Sequence, residues 1–164
     1  MIVRLGEGDN KVLRWARKAA STHREPVREV LKGVSVEHKK IVGSDGFRLH
    51  AAQVTGMEEA EGQVVRLDRL LAKDTTVSAE PIDEKFPDYH VLLPKGEAVF
   101  EIRVDGDLLA DAVKGMGWVK LRFHGPTRPI EAFGKMDEYS TYALIMPMSD
   151  CGYNSHNGID PWRP

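Results

Sequence analysis

The chain has 164 residues, 41% of them hydrophobic, which is enough for one core built from two similar halves and too little for a large second domain. Its net charge of −2 is unevenly spread: residues 1–57 hold 11 Lys and Arg against 6 Asp and Glu, while residues 58–164 hold 12 against 19. No apolar run is long enough to cross a bilayer, Arg4 and Glu7 interrupt any leader, and one cysteine (Cys151) with six scattered histidines offers neither a disulfide nor a zinc pattern, so the expectation is a cytoplasmic protein without metal or cofactor.

In chain order, Met1 to Leu5 reads as a short strand, broken by Gly6-Glu7-Gly8. Asp9 can accept hydrogen bonds from the free amides of a helix running from about Asn10 to Ser21. Val12, Leu13, Trp15, Ala16, Ala19 and Ala20 recur at helical spacing and form the face predicted to be buried. Lys11, Arg14, Arg17 and Lys18 project from the other side, and Arg24 and Arg28 keep the positive density high in the connection that follows. A basic first part of this kind points to a surface that meets a polyanion.

From Val27 the period changes to two. Val30, Val34 and Val36 predict a strand, Lys39 to Ser44 a second and Phe47 to Val54 a third, with Ser44-Asp45-Gly46 as the hairpin turn between the last two. Gly56 to Gly62 reads as an acidic loop and Gln63 to Leu67 as a strand. Asp68 to Lys73 is either a helical turn or a continuation of that strand. Thr75 to Ala79 is predicted as an edge strand because Pro81 follows. Phe86-Pro87-Asp88-Tyr89-His90-Val91-Leu92-Leu93-Pro94 is an extended connector with a proline near each end.

The order β-α-β-β-β then restarts. Glu97 to Val104 alternates as a strand, and Asp105-Gly106-Asp107 opens a helix through Leu108, Leu109, Ala112, Val113 and Met116 that Gly117 ends. Trp118 to Phe123, Pro129 to Gly134 and Tyr139 to Met146 supply three more strands, and Ser149 to Pro164 reads as a flexible tail that can lay Tyr153, Ile159 or Trp162 into a groove. The predicted fold is α+β: a single domain over 1–148 made of two β-α-β-β-β repeats (1–57 and 95–148) joined by a connector (58–94), with helices on one face of antiparallel sheets.

Three separated stretches carry one likeness. Val34-Ser35-Val36 through Ile41 and Ser44-Asp45-Gly46-Phe47-Arg48-Leu49, then Phe86 to Pro94, then Tyr142-Ala143-Leu144-Ile145-Met146-Pro147-Met148 resemble, in the same order, motifs of the bacterial sliding clamp family, the beta subunit of DNA polymerase III. Ser44 and Phe47 depart from the family wording. The resemblance implies a DNA-clamp fold and a hydrophobic cleft for short peptides of polymerases and repair proteins. Carried over by position, Gly46, Phe47, Arg48 and Leu49 form one wall, Pro87, Val91 and Leu92 the floor, and Met146, Pro147 and Met148 the other wall. Methionines suit such a cleft because their unbranched thioethers adapt to different apolar anchors.

The resemblance also implies non-specific contact of helix cations with duplex DNA phosphates, a duty assigned to Lys11, Arg14, Arg17, Lys18 and Arg24. The second helix departs, with Asp107 and Asp111 against Lys114. A clamp ring needs six such domains, so one domain implies a homo-oligomer, or else a stand-alone interaction module that never encircles DNA. An enzyme is not expected: Asp45 with His50, Asp88 with His90, and His124 lack a nucleophile, metal spacing or phosphate-cradling glycines.

Overall fold

The computed structural model describes residues 1–20, 28–94 and 96–148. The expectations for Arg24 and for the tail, with Cys151, lie outside the described residues. The fold is α+β, with two antiparallel sheets and two helices, and the chain forms two compact units, Met1–Val91 and Leu92–Pro164. No helix among the described residues is long and apolar enough to cross a membrane.

The first unit is a six-stranded sheet. Its strands are β1 (Ile2–Arg4), β2 (Val34–Glu37), β3 (Lys40–Ser44), β4 (Leu49–Gln53), β5 (Val64–Leu67) and β6 (Thr76–Ile82), arranged β1-β6-β5-β2-β3-β4 with every neighbour antiparallel. The β3–β4 hairpin registers Ser44 with Leu49 and Val42 with Ala51. Strands β5 and β6 join this sheet instead of linking two halves, so the division after Val91 falls inside the stretch read as a connector.

Period-two patterning gives this sheet two buried faces. Val34, Val36, Ile41, Ala52, Val65, Leu67, Val77 and Ala79 face α1 (Asp9–Arg17), which contributes Leu13 and Ala16 to the same core. Val42, Val64, Phe86 and Tyr89 pack on the opposite face, with Val30 from a single 3-10 turn at Glu29–Lys32. Each fully buried aliphatic side chain contributes about 1.5–3 kcal/mol. Helix α1 stops four residues earlier than its apolar spacing predicts. Its last turn tightens, with Lys18, Ala19 and Ala20 each bonding back three residues, and Ala19 and Ala20 stay buried. Helix and sheet approach closely at Gly43, where a Cβ would lie 2.5 Å from the Ala16 carbonyl oxygen.

The second unit packs α2 (Gly106–Val113) on one face of a three-stranded sheet, β7 (Val119–Arg122), β8 (Ile130–Met136) and β9 (Tyr139–Ile145), in the order β7-β8-β9. Asp105 caps α2, its carboxylate accepting from the amides of Asp107 and Leu108 at 2.9 and 3.0 Å. The predicted strand at 97–104 does not form. Ile102 and Val104 do reach the core, as alternation requires, but Val99 is 98% exposed. The bond from the Met148 amide to the Arg103 carbonyl (2.8 Å) is not extended into a ladder.

Candidate nucleic-acid interface and peptide cleft

The position of α1 is set by Asp9. This residue is 2% exposed and begins the helix, and its carboxylate gathers loops from both ends of the first β-α-β-β-β run. Oδ2 accepts the amides of Gly6 and Gly56, each at 2.8 Å, while Oδ1 accepts the Thr55 amide at 2.8 Å and the Thr55 hydroxyl at 3.2 Å. Burial acts to raise the Asp9 pKa, but these four donors outweigh it and hold the carboxyl below its ordinary value. The predicted cap thus works in reverse: Asp9 receives donors from outside the helix, and Gly8 takes the N-cap position.

Two further side chains fix the flank of the helix. The Asn10 amide donates to the carbonyls of Leu71 and Asp74, and the Arg17 guanidinium donates to the Asp68 carbonyl. On the opposite flank Trp15, predicted to be buried, instead stacks on His50 with ring centroids 4.3 Å apart and planes 9° from parallel. His50 Nδ1 lies 3.0 Å from the Trp15 carbonyl, which fixes the plane of the imidazole. Between these flanks, Lys11, Arg14 and Lys18 are exposed on the side away from the core and form no ion pair among the described residues.

Arg14, Arg17 and Lys18 line a shallow recess together with Arg69 and Leu70. No carboxylate lines it. Sequence reasoning missed Arg69 because residues 68–73 read equally well as a helical turn or as strand. The available signal was Leu70, a buried anchor that places its neighbour beside the helix.

The hairpin tip of the predicted cleft is tightly tied. Ser44 Oγ accepts the Gly46 amide at 3.1 Å and donates to the Arg48 carbonyl at 2.9 Å. Asp45 Oδ1 accepts the amides of Phe47 and Arg48 at 3.0 Å each, and Oδ2 accepts Arg48 Nε at 3.0 Å. The Phe47 amide, then Arg48, hold the Asp45 carboxyl below its ordinary value. Gly46 has φ +88°, the left-handed backbone that glycine adopts without strain. Arg48 Nη2 then donates to the Lys18 carbonyl at 2.8 Å, fastening the tip to the end of the helix. Phe47 is 93% exposed.

Leu49 turns to the opposite face of the sheet, where it packs into the cluster of Val42, Phe86 and Tyr89. Two of the three predicted stretches therefore meet on one face of the first unit. Tyr89 donates to Glu37 Oε1 at 2.7 Å; burial first and then the Glu37 carboxylate push its phenol well above the usual tyrosine range. Pro87 is half-buried, while Val91 and Leu92 are exposed. Met146, Pro147 and Met148 follow β9 in the second unit, with both methionines exposed. On α2 Asp107 and Asp111 are exposed, as is Lys114 at its C-cap.

His124, in the second unit, pairs with Glu131 (Nε2 to Oε2, 2.6 Å), whose other oxygen accepts the Tyr142 hydroxyl at 3.3 Å. The His124 hydrogen bond, ahead of Tyr142, lowers the Glu131 pKa. Both carboxylate oxygens of Glu131 are thus engaged within the trio. Among the described residues no three His, Cys, Asp or Glu side chains are grouped to hold a metal ion. No protein-family model matches the chain, and neither curated proteins nor solved structures provide a match.

Proposed function

We propose that this chain is a non-catalytic, cytoplasmic DNA-binding accessory protein of the sliding-clamp type. It would hold duplex DNA through the α1 ridge and recruit partner peptides through the stretches 46–49, 87–92 and 146–148. The observation that carries the DNA reading is the run of exposed cations on α1, completed by Arg69 in a recess that no carboxylate lines. Such a ridge neutralises phosphates and releases counterions. The Asn10 amide, committed to the Leu71 and Asp74 carbonyls, is not free to pair with a base edge. Sequence-independent contact is what a processivity or recruitment factor needs.

Arg14→Glu combined with Lys18→Glu should lower affinity for a short duplex about tenfold and reduce the slope of log K against log salt by about 2. Both side chains point away from the core, so circular dichroism should be unchanged. Titration by fluorescence anisotropy at several salt concentrations decides the matter: an unaltered slope means the ridge is only a solvated helix face.

A second reading is favoured by α2, whose exposed Asp107 and Asp111 outnumber Lys114. In this reading the chain is a stand-alone interaction module that never encircles DNA. The two readings separate in one pair of measurements, the mass in solution and the retention on closed circular against linearised plasmid. A homo-oligomer retained only on circles supports encirclement; a monomer indifferent to topology supports the module. Under either reading Arg48→Ala with Met146→Ala should weaken capture of a short apolar clamp-binding peptide about tenfold without unfolding the protein. Unchanged capture would remove both residues from peptide recruitment.

A further inference from the structure

The face of the first sheet opposite α1 carries a groove that the reading above does not use. Its floor is Ser35, Val64 and Ile82, the run from Pro81 to Phe86 forms one wall, and Glu37 with Gly62 and Gln63 forms the other, enclosing about 700 Å³. Val34 and Val36 fill the core under α1, so strand alternation turns Ser35 toward the groove. Ser35 is only 8% exposed, yet its hydroxyl has no hydrogen-bond partner among the described residues. The buried side-chain atoms left unpaired among the described residues are Asn10 Oδ1 and Thr141 Oγ1, so the Ser35 hydroxyl is reached from the groove and offers it one donor and an acceptor.

The rim has a definite sign. Glu37 gives one oxygen to Tyr89, while the carboxylates of exposed Asp83 and Glu84 form no ion pair among the described residues. Lys85 is the one cation among the lining residues. A ligand seated here meets aliphatic and aromatic surface below and carboxylates above. Nucleic acid is repelled by that rim. Strand addition is not available at the floor either, since β2 is already paired on both sides, with β3 and with β5.

We propose that this groove binds a short peptide segment presenting an arginine beside an aliphatic side chain. The arginine stem lies along Val64, Ile82 and Phe86, its planar fork meets Asp83 and Glu84, and the Ser35 hydroxyl bonds a peptide amide or carbonyl of the ligand. The groove takes no lining residue from 46–49, 87–92 or 146–148, although its Phe86 also packs against Leu49, and the inference stands whether or not the chain binds DNA.

The test is anisotropy of a fluorescein-labelled hexapeptide of alternating leucine and arginine against the full chain. Saturable binding that weakens with salt is expected, with Asp83→Asn plus Glu84→Gln lowering affinity about tenfold and Ser35→Ala lowering it about threefold. Duplex DNA affinity of the Asp83/Glu84 variant should stay within about twofold of the parent, since neither residue lies on α1. Absence of saturable binding, equal binding by the Asp83/Glu84 variant, or equal binding of a leucine and glutamate hexapeptide would overturn the proposal. A blocked single arginine that competes as well as the hexapeptide would replace the peptide with a small organic cation and overturn it too.

Discussion

Asp9→Ala should cost about 3–5 kcal/mol of folding stability, because it leaves the amides of Gly6, Thr55 and Gly56 without their acceptor at a site closed to water. Asp9→Asn keeps the shape but turns an NH₂ group toward donors, so its loss should approach that of alanine. Hydrogen exchange gives the local reading: the Thr55 and Gly56 amides should exchange faster in both variants. The pH dependence has a fixed sign. The Asp9 carboxyl in the folded chain titrates below its ordinary value of 3.8, so its contribution is fully present above that value and is lost as pH falls through the lower folded value. The stability gap between parent and Asp9→Ala should therefore be constant near neutrality and close in acid. A gap that ignores pH, or a loss below about 1 kcal/mol, would show that the four donors are satisfied without the charge.

Gly43→Val should cost about 2–3 kcal/mol by a different route, overpacking. A Cβ at Gly43 would lie 2.5 Å from the Ala16 carbonyl oxygen and 3.4 Å from the Ala20 nitrogen, both backbone atoms that cannot rotate aside. The helix must lift from β3, so the stack of Trp15 on His50 should loosen and tryptophan emission should change along with the denaturation midpoint. Gly106→Ala is the control: its Cβ meets nothing within 4 Å, and alanine at the start of α2 should be neutral or slightly stabilising. Equal behaviour of the two glycine variants would mean that α1 floats over the sheet rather than resting on it.

The elements of the first unit were legible where periodicity was strong. The hairpin at Ser44-Asp45-Gly46 and the inward faces of β2 to β4 follow from alternation and turn chemistry alone. Exposure of the α1 cations follows from helical spacing. Trp15 was misread because an aromatic ring on the edge of an apolar stripe can lie over a neighbouring strand, and only the fold puts His50 there. The role of Asp9 was half legible: its capping chemistry was plain, but the donors at Thr55 and Gly56 are far away in sequence. The strand expected at 97–104 failed because alternation reports burial of side chains and not the presence of a hydrogen-bonding neighbour. Ser35 gave no signal at all, since a serine between two valines looks like any outward position of a strand.

Cations on α1 and the carboxylates of Glu37, Asp83 and Glu84 lie on opposite faces of one sheet. These groups by themselves separate positive from negative charge across the sheet. Near a polyanion such a body feels a torque as well as an attraction, so it arrives already turned, helix inward and carboxylate rim outward to the solvent. Orientation on the polymer would then be settled before contact, without any specific recognition.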